Sequence, residues 1–357
     1  MNHNIIASIS AQEDNLGDIE IRKVLLSWLA ETPAEIHCYR GNMSESYVEA
    51  FEMNDRVTWH GNLFALQLQL LKGALPGGAS HFILAPGPQI LSDSIKSTSK
   101  CSLNLANALI CSAFGGAAYS IGRAFRGSGL SSTPTRQTLR RCAISTVRDN
   151  LSNQQIGHRS TTAPDLAFYP DQWSSNTKHL IAICVRSSPQ FSVGSFQTLC
   201  QIIRKNGFEP VVVVQVKRDQ QLGEEIARLN QCKIVSWTNE SHLTQLRRVY
   251  ECYSHCAAVV SNRLHGLIIG ARAGANPLPL LSESDNKLMP TLESAIGEVQ
   301  TIKPADLQQH SSAAVNNLFA RDSLERQQIA LHYRINLARN SLKDVKESIL
   351  DSISVPR

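Results

Sequence analysis

Between Ala257 and Leu281 the chain reads AAVVSNRLHGLIIGARAGANPLPLL. A short, wholly apolar run, as expected of a strand covered on both faces, passes through Ser261 and Asn262 into Leu264, Leu267, Ile268 and Ala271, which share one helix face. A second apolar run, Pro277 to Leu281, follows. This is a strand, turn, helix and strand in the order of a parallel sheet. Either Ser261 or Asn262 is expected to cap the helix. Its N-terminus then directs N–H groups and a positive dipole end outward, an arrangement that favours anions. Arg263 and His265 are two positions apart, so on a regular helix they diverge. They converge on one ligand only if Arg263 still belongs to the turn. A surface ion pair for Arg263 and a hydrogen-bonded structural place for His265 stay open beside that reading.

Working outward, the C-terminal half repeats the pattern. Leu180 to Val185, Pro210 to Val216 and Lys233 to Trp237 read as further buried strands. Phe196, Leu199, Ile202 and Ile203, then Leu243, Leu246, Val249, Tyr250 and Tyr253, read as helix faces between them. The N-terminal half is less regular, with strands expected at Ile5 to Ser8, His81 to Ala85 and Ala143 to Val147. Its first helix carries Ile21, Val24, Leu25 and Trp28 at helical spacing. The polar stretch Asp171 to Lys178, after Pro170, reads as a linker. The expected organisation is therefore an α/β protein of two Rossmann-like parallel-sheet domains. These are an N-terminal acceptor-side domain over 1–172 and a C-terminal donor-side domain over 173–310, with a helical segment over 311–357 packing back. At 357 residues the chain is long enough for two cores.

In open parallel sheets, ligands bind beyond the carboxyl ends of the strands. Three arginines stand there: Arg148, Arg186 and Arg263. The planar guanidinium fork suits carboxylate and phosphate, so converging arginines make a site for a small polyanion. The expected place for such a site is the cleft between the two domains. Asn15-Leu-Gly-Asp18 joins the first strand to the first helix, and Gly17 permits close approach to backbone. A plain strand-to-helix turn explains it equally, as it does Pro86-Gly-Pro88 after the strand ending at Ala85, and Asp165 reads as well as a turn residue.

Composition narrows the function classes. With 42% hydrophobic and 18% charged residues the chain is an ordinary globular protein. A formal charge of +5 from 35 basic and 30 acidic residues permits an acidic ligand but lacks the basic stripe of a nucleic-acid binder. Arg136, Arg140 and Arg141 read as a solvated helix face. Nine cysteines lie mostly in apolar stretches, which fits a reducing compartment. Cys252, His255 and Cys256 lack a second pair to complete a metal site. No stretch is long and apolar enough to span a membrane and the first ten residues do not read as a signal peptide, so a cytoplasmic protein is expected. Neither a metal nor a cofactor is expected.

Taken in order, Asn15-Leu-Gly-Asp18, Val147-Arg-Asp-Asn-Leu-Ser152, Pro164-Asp-Leu-Ala-Phe168 and Ser261-Asn-Arg-Leu-His-Gly-Leu267, followed by Gly274 and Pro277, resemble the polysaccharide pyruvyl transferase family over about residues 12 to 300. The resemblance implies a GT-B-like fold, phosphoenolpyruvate as donor and a sugar hydroxyl pair as acceptor, the product being a pyruvate ketal on a glycan or its precursor. It puts Arg263 and His265 on donor-contacting positions, with Arg148 or Arg186 supplying a further arginine, and Asn15, Gly17, Leu264 and Asp165 among the substrate-binding residues. Arginines would hold carboxylate and phosphate, and His265 would donate a proton or stabilise the departing phosphate. Asp18, Asp149 and Asp165 are the candidates to deprotonate the sugar hydroxyl. The glycine-rich turn that members commonly carry after a mid-domain strand appears here as Pro86-Gly-Pro88. The acceptor it implies is a free sugar, a nucleotide-sugar or a lipid-linked oligosaccharide, and peripheral contact with a membrane-bound glycan assembly complex is compatible with it. Two other readings remain: a GT-B glycosyltransferase with a nucleotide-sugar donor, and a catalytically silent sugar-phosphate-binding protein.

Overall fold

A computed structural model describes residues 2–53, 55–73, 78–282, 288–307 and 312–354. The chain divides into two compact units. The N-terminal unit comprises residues 1–13, 18–166 and 340–357, and the C-terminal unit comprises residues 14–17 and 167–339.

The N-terminal unit runs β1 (Asn2–Ser8), α1 (Leu16–Leu29), β2 (Glu35–Tyr39), α2 (Glu45–Glu49), β3 (Val57–His60), α3 (Leu63–Gly73), β4 (Gly78–Leu84), β5 (Gly87–Leu91), α4 (Ile95–Ala113), β6 (Ala117–Gly127), α5 (Ser132–Arg141), β7 (Cys142–Val147), α6 (Asn150–Gln155) and β8 (Thr161–Thr162). Its strands pair in the order β3-β2-β1-β4-β6-β7-β8, with β5 also on β6, and every pairing is parallel. Strand order reverses between β1 and β4, the place where such sheets leave a crevice at their carboxyl ends. Ile6, Leu66, Leu70, Phe82 and Ala118 pack one cluster of the core, and Leu91, Phe125, Leu139 and Val147 another. Each large apolar side chain buried this way stabilises by about 1.5–3 kcal/mol. Arg136, Arg140 and Arg141 lie on the exposed face of α5.

Two ion pairs with buried carboxylates hold the far end of this sheet. Asp149 caps α6, accepting from Ser152 N at 2.7 Å, and takes Arg126 as a fork at 3.1 and 2.9 Å. Arg148 donates to Asp165 at 2.9 Å, with both side chains under one-tenth exposed. Charges this deep are tolerated because each is paired and hydrogen-bonded.

The C-terminal unit runs β9 (Leu180–Cys184), α7 (Val193–Lys205), β10 (Glu209–Val213), α8 (Gln220–Asn230), β11 (Lys233–Val235), α9 (His242–Ser254), β12 (Cys256–Ser261), α10 (Leu264–Arg272), β13 (Asn276–Pro279), α11 (Leu288–Ile296), α12 (Ser312–Leu318) and α13 (Arg321–Ser354). Its parallel strands are ordered β11-β10-β9-β12-β13, again reversing beside the first strand of the unit. Ile181, Ile183, Leu199, Ile203, Val212 and Val260 lie in its core. The stretch from Asp171 to His179 forms neither helix nor strand. Residues of α13 up to 339 belong to this unit and the remainder to the N-terminal one. Among the described residues, no helix is long and apolar enough to cross a membrane.

Candidate functional site

Three strands of the C-terminal unit deliver polar residues to its crevice. β12 ends in Ser261, whose Oγ donates to Cys184 O at the end of β9 and accepts from Arg263 N at 2.8 Å. Asn262 accepts from Arg186 N at 2.8 Å and donates to Arg186 O at 3.0 Å, so one side-chain amide clamps the backbone after β9 to the backbone after β12. Both polar residues are thus spent on joining strands, and neither caps α10. The N-cap is Arg263 itself, with extended backbone (φ −105°, ψ 117°) and no side-chain capping bond, which corrects the expectation that Ser261 or Asn262 would cap. Arg263 therefore still belongs to the turn, the condition under which it and His265 can converge.

The Arg263 side chain is 20% exposed and meets Asp219 as a fork, with Nε donating to Oδ2 at 2.8 Å and Nη2 to Oδ1 at 2.6 Å. A guanidinium has five N–H donors in a rigid plane. The fork uses one edge, so among the described residues the Nη1 edge stays available for a second anion. Asp219 thereby fixes the plane of the cation.

Residues 14–17 complete this site although they lie some 200 positions upstream. Lys217 N donates to Asp14 O at 2.8 Å, Leu16 N donates to Gln215 O at 3.3 Å, and Asn15 bridges Val216. Arg218 forks onto Asp14 at 2.5 and 2.5 Å, and the guanidinium's hydrogen bond holds that carboxyl below the usual aspartate range against the opposing effect of burial. Asn15 Oδ1 accepts from Gly17 N at 3.1 Å, shaping the tight turn. Gly17 lies directly on the His265 ring: a Cβ there would stand 2.2 Å from Nδ1 and 2.4 Å from Cγ. Gly266 is equally confined, since its Cβ would meet Ser261 Oγ at 2.9 Å and Cys184 Sγ at 3.2 Å. The glycine of the Arg-Leu-His-Gly segment thus lets the first turn of α10 settle onto the strand ends.

Asn15, Gly17, Arg186, Arg263, Leu264 and His265 accordingly gather in the C-terminal unit. Asp18, Arg148 and Asp165 belong to the N-terminal unit. Asp18 is buried and accepts from Arg22 Nη1 at 3.3 Å and from Gln12 N at 3.4 Å, while Arg148 and Asp165 hold each other. Arg186, in contrast to buried Arg148, is exposed. Cys256 Sγ donates to Cys252 O at 3.2 Å, and the His255 ring lies 3.3 Å from Glu251.

The polysaccharide pyruvyl transferase family model matches residues 15–284, from the Asn15 turn through the Arg-Leu-His-Gly segment and beyond. The chain belongs to the polysaccharide pyruvyl transferase family. No curated protein matches it by sequence. Among solved structures it is similar to the UDP-GlcNAc 2-epimerase from Neisseria meningitidis bound to UDP-GlcNAc, with a TM-score of 0.56 at 10% identity over 98% of this chain and 100% of the other. The S. aureus MnaA-UDP co-structure gives 0.55 at 10% identity over 100% and 99%. The glycotransferase of kitacinnamycin gives 0.54 at 11% identity over 98% of each chain. At such identities the likeness is one of fold: two parallel-sheet α/β domains of the GT-B glycosyltransferase kind.

Two residues of this candidate site escape a sequence reading. Asp219 sits six positions after the observed end of β10, but the apolar run suggests a strand continuing to Val216 and masks the loop that follows. Gln215, 1% exposed, offers its Oε1 to Cys184 Sγ at 3.8 Å beside Gly266. A carboxylate soon after a strand was the available signal for Asp219.

Proposed function

We propose that the protein transfers a pyruvyl group from phosphoenolpyruvate to two hydroxyls of a sugar, forming a pyruvate ketal during exopolysaccharide or cell-surface glycan synthesis. The observation that carries this is Arg263, held in the turn before α10 by Asp219 with its Nη1 edge open, beside His265 and one residue after the Asn262 clamp on Arg186. Arg263 and Arg186 are the cations for the donor's carboxylate and phosphate, and the N-terminus of α10 adds its dipole.

The chemistry requires a proton at the donor's methylene carbon and attack of a sugar oxygen at the adjacent carbon. A second hydroxyl of the same sugar then displaces phosphate and closes the ketal, its proton leaving with the phosphate. His265 supplies the proton to the methylene, a task suited to imidazole near neutral pH. On the acceptor side, Asp149 and Asp165 are committed to arginines at close range. Asp18, next in the chain after Gly17, is the carboxylate assigned to take the first hydroxyl's proton.

Phosphoenolpyruvate at about 100 times its Kd is expected to stabilise the folded protein by about 2.7 kcal/mol, read as a rise in Tm. The rise should vanish in Arg263→Ala. The second reading, a glycosyltransferase with a nucleotide-sugar donor, is favoured by fold neighbours solved with UDP and UDP-GlcNAc. Stabilisation by nucleotide sugars with none from phosphoenolpyruvate would establish it instead.

Gly17→Ala tests the packing against His265. Because the added methyl would overlap three atoms of the histidine within 2.5 Å, ring or turn must move. Turnover should fall about 100-fold from misplacement alone, and overpacking should cost about 1–3 kcal/mol of stability. Gly17→Ala with parental kcat would show that the ring's position does not matter to the reaction.

A further inference from the structure

Ala85-Pro86 joins β4 to β5, which opens with Gly87-Pro88, at the carboxyl end of β4. The two prolines remove two backbone N–H groups, so this stretch cannot cradle a phosphoryl group with amides as a glycine-rich turn does. Cationic side chains collect there instead. Arg22 Nη2 donates to Pro86 O at 3.2 Å, and its Nη atoms lie 3.9 and 4.0 Å from where a Cβ on Gly87 would stand. Gly87 is the ladder partner of Arg123 on β6. Arg123 is 6% exposed, donates to Gln89 Oε1, and keeps its Nε buried with no partner among the described residues. The same Gln89 donates from Nε2 to Cys101 Sγ at 3.0 Å, which brings the start of α4, and with it Lys100, to this place.

Among the described residues no carboxylate bonds to Arg123 or Lys100; Asp18 is engaged with Arg22. Burial pushes the Arg123 guanidinium down to about 10, with Arg22 adding to the effect, and the Lys100 ammonium, though its side chain is exposed, is lowered by desolvation from the protein around it and then by the charges of Arg123 and Arg22. Arg22 has Asp18 as its counter-ion, but a buried guanidinium such as Arg123 with no carboxylate among the described residues is costly, and a bound anion relieves that cost.

We propose that Arg22, Lys100 and Arg123 form a phosphoryl-binding site in the N-terminal unit, which receives the phosphate or diphosphate of a phosphorylated sugar acceptor. The identity of the phosphoryl carrier rests on the pyruvyl-transfer reading; the site itself does not. It places the anionic end of the acceptor by side chains where the prolines have removed the backbone's means of doing so.

The test is amine-reactive labelling of Lys100 in the full-length protein, quantified by mass spectrometry with Lys343 as internal reference. Pyrophosphate at about ten times its Kd should reduce Lys100 labelling about tenfold, both in the parent and in Arg263→Ala. Protection should disappear in Arg123→Gln. Should that variant fail to fold, Lys100→Gln, on an exposed helix position, should lose the Tm rise that pyrophosphate produces in the Arg263→Ala background. Unprotected Lys100 in the parent, or protection that survives Arg123→Gln, overturns the site. Glucose 1-phosphate protecting at lower concentration than inorganic phosphate assigns the site to a phosphorylated sugar, whereas equal potency overturns that assignment in favour of free phosphate. Phosphoenolpyruvate binding at Arg263 is measured separately, so failure of one assignment leaves the other standing.

Discussion

Arg263→Ala is expected to lower kcat/KM for pyruvyl transfer about 1000-fold, the loss typical when one preorganised donor to developing charge is removed. That corresponds to about 4 kcal/mol at the transition state. The residue is costly to lose because its geometry is set in advance: the backbone is extended at the N-cap of α10, and Asp219 fixes the guanidinium plane along the Nε and Nη2 edge. Arg263→Lys should recover little, since an ammonium cannot grip Asp219 with a planar fork and offer a second edge to the donor. The substitution also leaves Asp219, 12% exposed, without its partner, at a cost of about 1–3 kcal/mol. Adding Asp219→Asn should restore that stability and leave turnover low, which separates the two contributions. Steady-state kinetics beside urea unfolding of the three variants checks this, and a kcat/KM within tenfold of the parent in Arg263→Ala would remove the residue from the donor site.

Asp149→Ala should destabilise the N-terminal unit by about 1–3 kcal/mol, the cost of taking a buried carboxylate from Arg126, whose side chain is 18% exposed, and of leaving Ser152 N without its acceptor. Asp149 is fully buried, caps α6 through Ser152 N and receives both terminal nitrogens of Arg126. Burial alone would raise its carboxyl, but the bonds from Arg126 and Ser152 outweigh burial and hold it below the usual aspartate value. A group depressed on folding contributes stability above its unfolded pKa of about 3.9 and loses it as pH falls from there toward the folded value. The gap in urea midpoint between parent and variant should therefore be full at neutral pH and narrow on acidification below about pH 4. A gap that stays constant on acidification would trace the loss to the helix cap rather than to the charge pair.

The sheets differ in how openly the sequence declares them. In the C-terminal unit β9, β10, β12 and β13 are short apolar runs buried on both faces, so composition alone marks them. β2 and β3 carry His37 and His60 with Glu35 and Trp59, and such mixed strands are not distinguished from loop by periodicity. β6 hides for a different reason. Its 11 residues include Gly122 at φ +62°, and its two halves pair with different neighbours, so no single alternation runs through it. At the candidate site, the spacing of Arg263 and His265 posed the turn place of Arg263 as a condition for their convergence but did not fix it, and the cap expected at Ser261 or Asn262 is instead Arg263. Its partner Asp219 and the docking of residues 14–17 on residues 215–218 are long-range contacts with no local signature.

That docking also fixes when the site can exist during synthesis. Asp14 leaves the ribosome well before Arg218, its ionic partner, which is 204 residues behind. At about 5–20 residues per second, the first segment waits roughly 10–40 s for the surface it belongs to. During that interval the face of Gly17 that will meet His265 has nothing to pack on. A nascent chain halted before β12 would therefore have made its first sheet but no Arg263, and a fragment beginning at residue 167 would have Arg263 but no Gly17 against its histidine.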